Sequence, residues 1–218
     1  MPAPVDLSQY YPGEGQNQPV DRWRVLLVEG SLLGGYEAGL EVAVKLVEGL
    51  EGKIRLGQSP SQATHQAVEL MVVGRVSEQT QQRWQQQTRI SIRWAGQVPH
   101  EHIPEIDRSG HILYSADLNA ACPNSVIEAL ACGLPVLAFD TGALPELVSP
   151  SAGRVVPYGG NPWLLEPPDM AGLVGAAAEI LQDQAAYRTG ARRRAEEAFA
   201  VEQMVQGYVQ ALQGIDRS

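Results

Sequence analysis

Residues 122 to 128 read Cys-Pro-Asn-Ser-Val-Ile-Glu, a proline and two small polar residues opening a helical pattern, with a carboxylate about one turn further in. The first amides of a helix have no partners inside it and sit at the positive end of its dipole, so such a start favours a diphosphate. Glu128 lies close enough to the same mouth for its carboxylate to accept hydrogen bonds from two vicinal hydroxyls. Taken singly, each piece also has a plain structural reading, the first as a helix cap and the second as a solvated glutamate. Other site chemistries find little support. Gly30, Gly34 and Gly35 do not fit Gly-x-Gly-x-x-Gly, and no Gly-Lys-Ser or Gly-Lys-Thr loop occurs. The four histidines show no metal spacing; His100 and His102 fall in an expected surface turn and receive no role. Cys122 and Cys132 read as packing residues. Neither a metal nor a cofactor is expected, and no residue is assigned as catalytic.

These residues must be positioned by strands and helices in alternation. Arg24–Val28, Val68–Gly74, Ile90–Gly96, His111–Ser115, Leu134–Phe139 and Gly153–Val156 read as strands. Helical patterns run through Leu40, Val44, Leu46 and Leu50, then over 78–87, 103–109 and 125–132, and again from 168 onward with a break expected near Gly190. A polar stretch covers 55–66. The implied fold class is α/β, a single Rossmann-like doubly wound parallel sheet of about six strands. Ligands bind such sheets at the carboxyl ends of the strands. The loops to inspect are therefore Gly30 to Gly35, Gly74 to Val76, Gly96 to Pro99, Asn119 to Asn124 and Asp140 to Ala143.

The segment Cys122 to Val148 resembles the group 1 family of retaining glycosyltransferases with the GT-B fold. The matching pieces are Glu128 on its helix, Ala131-Cys132-Gly133-Leu134-Pro135-Val136 at the turn into the next strand, and Gly142-Ala143-Leu144-Pro145-Glu146 beyond it. Val5-Asp6-Leu7-Ser8-Gln9-Tyr10-Tyr11-Pro12 is similar to the family's interdomain linker, and Trp94-Ala95-Gly96-Gln97-Val98-Pro99 to its base-reading turn. The resemblance implies the C-terminal, donor-binding half of such an enzyme. Glu128 would grip ribose, Pro123, Asn124, Ser125 and Val126 would hold the phosphates and sugar, and Gly96, Gln97 and Val98 would read the base. Gly30 and Ser31 belong to the first glycine loop of the same site.

Two departures bear on mechanism. The family's sugar-contacting acid, eight positions before Glu128, is Ala120 here, with Asn119 beside it as a possible amide substitute. The first loop, Val28 to Tyr36, lacks the family's Arg and Lys and carries Glu29 instead; Arg75 and Arg93 are the candidate replacements, although Arg75 also reads as an ordinary surface residue. Trp163, in the loop Gly159-Gly160-Asn161-Pro162, reads as a hydrophobic lid or a stacking platform.

Composition bounds the rest. In 218 residues, 25 acidic side chains against 16 basic ones give a net charge of -9, which argues against nucleic acid as a partner. Two cysteines and no leader-like or membrane-spanning run point to a reducing cytoplasm. The expected organisation is a linker-like segment over 1–22, the donor domain over 23–200 and an amphipathic helix over 201–218. On that helix Val201, Val205, Tyr208, Val209 and Leu212 share a face that either packs on the domain's own core or meets an acceptor domain, a partner chain or a second copy. The functional expectation is binding of a nucleoside diphosphate sugar, with transfer to an unknown acceptor when an acceptor domain is present. The alternative is a non-catalytic relative that acts as a binding subunit or scaffold. A nucleotide-sugar epimerase of related architecture is a third, weaker reading.

Overall fold

A computed structural model describes residues 4–13, 17–56 and 67–215. Six strands form one sheet: β1 (Arg22–Ser31), β2 (Ala67–Arg75), β3 (Ser91–Gly96), β4 (Ile112–Tyr114), β5 (Val136–Phe139) and β6 (Gly153–Val156). Their order across the sheet is β3-β2-β1-β4-β5-β6, and every adjacent pair is parallel. The expected α/β doubly wound sheet is thus present, with the strand order of a dinucleotide-binding fold.

Alternation along the strands builds two cores. Val25 and Leu27 of β1, Leu70 and Val72 of β2, and Leu137 and Phe139 of β5 face one side. There they meet α1 (Glu37–Arg55) and α6 (Met170–Gln182). Leu26, Val28, Met71, Val73, Val136 and Ala138 face the other side. That face is covered by α3 (Ile103–Ser109), α4 (Asn124–Ala131) and α7 (Gln184–Ala198). A strand buried on both faces reads as a continuous apolar run, which is why β1 and β2 stood out in the sequence. The α2 helix (Glu78–Gln87) is a surface element, with only Thr80 buried, and α5 (Leu144–Leu147) is a single turn.

The turn from α4 into β5 follows its sequence signal. Gly133 takes φ +69°, and the bond from the Leu134 amide to the Ala129 carbonyl closes the helix end. The long helical region departs from expectation, because α7 runs unbroken through Gly190 and the break falls at Asp183, whose φ of -119° and ψ of 43° leave the helical region. Gly190 is buried against the Ser151 carbonyl, with no room for a Cβ, so its glycine reflects close packing. Most of the polar stretch at 55–66 lies outside the described residues.

The segment before β1 packs on the domain. Val5 and Tyr10 are buried, Val5 bridges Ala200, and Arg192 Nη1 donates both to the Tyr10 carbonyl (2.9 Å) and to the Ala131 carbonyl at the end of α4 (2.8 Å). The last helix, α8 (Val201–Ile215), does not use its apolar face in this way: Val205, Tyr208, Val209 and Leu212 are all exposed. From Val205 onward that face does not pack on the domain's own core. Among the described residues no helix is long and apolar enough to cross a membrane.

Candidate functional site

The strand order reverses between β1 and β4, and a crevice opens beyond the carboxyl ends of strands at such a point. A cavity of about 410 Å³ lies there. Glu29 and Gly30 reach it from β1, Gln97 and Val98 from the loop after β3, Asp117 from the loop after β4, and Pro123, Asn124 and Ser125 from the start of α4. Gly74 makes this mouth possible. Its φ of +130° suits glycine, and a Cβ there would collide with the Glu29 carbonyl, where the β1–β2 register slips between Val28 and Ser31.

The amino end of α4 has fewer donors than the sequence reading counted. Pro123 caps the helix with no side-chain bond and carries no N–H of its own. Val126 is fully buried, and its amide already donates to the Pro123 carbonyl at 3.1 Å. Pro123 therefore lines the mouth and Val126 packs in the core, and neither can hold a phosphate by its amide. The Asn124 and Ser125 amides remain, as the first orphan donors of the helix.

Glu128 lies one turn further along α4, with a side chain 13% exposed. Its Oε1 is 3.0 Å from His100 Nε2, and the same nitrogen is 3.0 Å from the Tyr10 hydroxyl. Burial, then the charges of Glu128 and Asp107, push the Tyr10 phenol far up, so it keeps its proton. The sequence carried no sign of this triad, because its members are 28 and 90 residues apart and His100 reads as one more turn residue.

The other expected residues separate. Gln97 and Val98 line the cavity, whereas Gly96, at φ +69°, only turns the chain that presents them. Gly30 is at the mouth; Ser31 pairs with Arg75 at the edge of the bulge and lines neither this cavity nor its neighbour. Arg75 and Arg93 are exposed and line neither, so they do not replace the missing loop cations. Asn119 lines an adjacent cavity of about 310 Å³, which shares Glu29 and Asp117 with the first. Ala120 is buried, and its carbonyl accepts from the Ala143 amide at 2.7 Å, so the position of the family's first acid is given over to packing. Trp163 is 75% exposed and lines neither cavity, so it is no lid; its neighbour Leu165 lines the second.

Charge in the crevice is acidic. Among the described residues no lysine or arginine lines either cavity. Burial, followed by the nearby Asp117 carboxylate, raises the Glu29 carboxyl to about 7. Near neutrality Glu29 is thus divided between its neutral and charged forms. Among the described residues no group of three or more His, Cys, Asp or Glu side chains is placed to hold a metal ion.

The model of the family described as glycosyl transferases group 1 matches residues 26–183, more than half of the chain and all of the crevice. The chain belongs to the group 1 glycosyl transferases. Against curated protein sequences it has no match. Among solved structures it is similar to the sucrose-phosphate synthase of Thermosynechococcus elongatus, at 22% identity and a TM-score of 0.64 over 98% of this chain and 52% of that one. It is also similar to Anabaena HepE in complex with UDP and glucose, at 17% identity and a TM-score of 0.65 over 97% of this chain and 55% of that one. The C-terminal domain of a group 1 glycosyl transferase, LpcC, from Francisella tularensis aligns at 14% identity and a TM-score of 0.64, over 90% of this chain and 99% of that domain. The chain therefore spans about half the length of the first two and has the fold of the C-terminal GT-B domain.

Proposed function

We propose that this group 1 domain binds a nucleoside diphosphate sugar and serves as the donor half of a sugar transferase whose acceptor is held by another domain or chain. One arrangement carries the reading: two orphan amides at the start of α4 at the switch-point crevice, with the Glu128 carboxylate one turn behind them against His100 of the crevice wall, although Glu128 itself lines neither cavity. The Asn124 and Ser125 amides take the phosphates, Glu128 accepts from the ribose hydroxyls, and the Gln97–Val98 backbone meets the base. Binding of UDP and glucose by the Anabaena relative supports the same class of ligand.

Titration calorimetry of the chain with UDP, GDP, ADP and their hexose conjugates tests this, alongside Glu128→Ala. Saturable binding of one nucleotide family that weakens at least tenfold in the variant is expected. A folded protein that binds none of them overturns the proposal. The proposal includes no resident metal, so chelator should leave the affinity unchanged; a requirement for magnesium would contradict that part.

A further inference from the structure

We propose that Tyr10 and His100 form a positioning clamp on Glu128, so that selection for a ribose diol depends on the segment that precedes the sheet. The inference rests on the donor-site reading and gives Tyr10, so far only part of a linker-like motif, and His100, so far without a role, a place in the site.

A carboxylate only accepts, so its 3.0 Å approach to His100 Nε2 places the ring proton on that nitrogen. The Tyr10 hydroxyl, 3.0 Å from the same nitrogen, accepts a share of that N–H through its oxygen and so fixes the ring from its buried side. Glu128 Oε1 is thereby held by the protein, and Oε2 is left to meet a hydroxyl of the ligand. A carboxylate already fixed in one rotamer loses less freedom when a ligand arrives.

The clamp is itself anchored. Tyr10 is buried, its carbonyl is held by Arg192 Nη1 at 2.9 Å, and the Val5 amide bonds the Phe199 carbonyl at 2.8 Å. His100 sits in a single turn closed by the His102 amide on the Pro99 carbonyl at 2.9 Å, with its own ring largely in solvent. Tyr10 is therefore the fixed member and His100 the adjustable one. Movement of residues 5–10 would reach the ribose site through a single hydroxyl.

The test compares UDP, GDP and ADP with their 2′,3′-dideoxy counterparts in the unmodified chain and in Tyr10→Phe, His100→Ala, His100→Gln and Glu128→Ala, with thermal melting as a check on folding. Tyr10→Phe and His100→Ala are expected to weaken the preferred ribonucleotide about five- to tenfold and to leave its dideoxy counterpart within twofold. His100→Gln, whose amide nitrogen can donate to the same oxygen, should recover most of the loss. If both variants keep the ribo-to-dideoxy ratio within twofold while Glu128→Ala abolishes it, the clamp is wrong and the donor site stands. If the unmodified chain binds no nucleotide, both fall together.

Discussion

Asp107 is buried on α3, and neither of its carboxylate oxygens has a hydrogen-bond partner among the described residues. Burial, with Glu128 nearby, pushes its carboxyl well above the ordinary range, against a smaller pull from Arg108. The native state then keeps a proton that the unfolded chain releases above its ordinary carboxyl range, so stability falls as pH rises beyond that range. Asp107→Asn removes the titration and should raise the melting temperature at pH 8 more than at pH 5; an equal shift at both would show that the group ionises freely. Glu29 makes the same argument about binding. As pH rises through about 7 its charge enters a cavity with no cation. Affinity for UDP or its preferred analogue should fall by roughly tenfold between pH 6 and 8, and Glu29→Gln should flatten the profile. A flat profile in the unmodified chain would place the diphosphate away from Glu29. The missing loop cations and the added acid at Glu29 were legible in the sequence, because a glycine loop is read residue by residue. Asp117 and the Tyr10–His100–Glu128 group were not, since only the folded chain brings their elements together.

Strands were the best-read elements. Runs such as Val25 to Val28 and Val68 to Val73 are buried on both faces, and little else in a sequence looks like them. The helices after β6 were harder to divide, since a glycine at Gly190 signals either a break or a close approach, and only the neighbouring Ser151 carbonyl decides which. Gly190→Ala should therefore destabilise the domain by about 1–3 kcal/mol, seen in denaturant unfolding, although alanine is the better helix former. An unchanged or raised stability would mean that α7 shifts freely over that loop. The amino end of α4 gives a different lesson. It lies at the mouth of the crevice, but it supplies fewer donors than its sequence suggests: proline has no N–H to give, and the Val126 amide is taken by the cap residue itself.

At the scale of the molecule, one helix stands apart. Beyond Met204 the named apolar side chains of α8 are exposed, and a helix of that length is marginal by itself in water. Deleting residues 205–218 should change the unfolding free energy by less than about 1 kcal/mol. A larger loss would show that the face is covered in solution, and sedimentation of the undeleted chain would then reveal a second copy. That face was legible in the sequence, but its cover was not. The anchoring of Tyr10 by Arg192 has a consequence for the order of events during synthesis. Tyr10 is made 182 residues ahead of the guanidinium that holds it, and Val5 waits still longer for Phe199. While the nascent chain is still growing through the sheet, residues 5–10 have no α7 to dock on. The proposed clamp on Glu128 is finished by a segment made before the sheet, and only after α7 has left the ribosome.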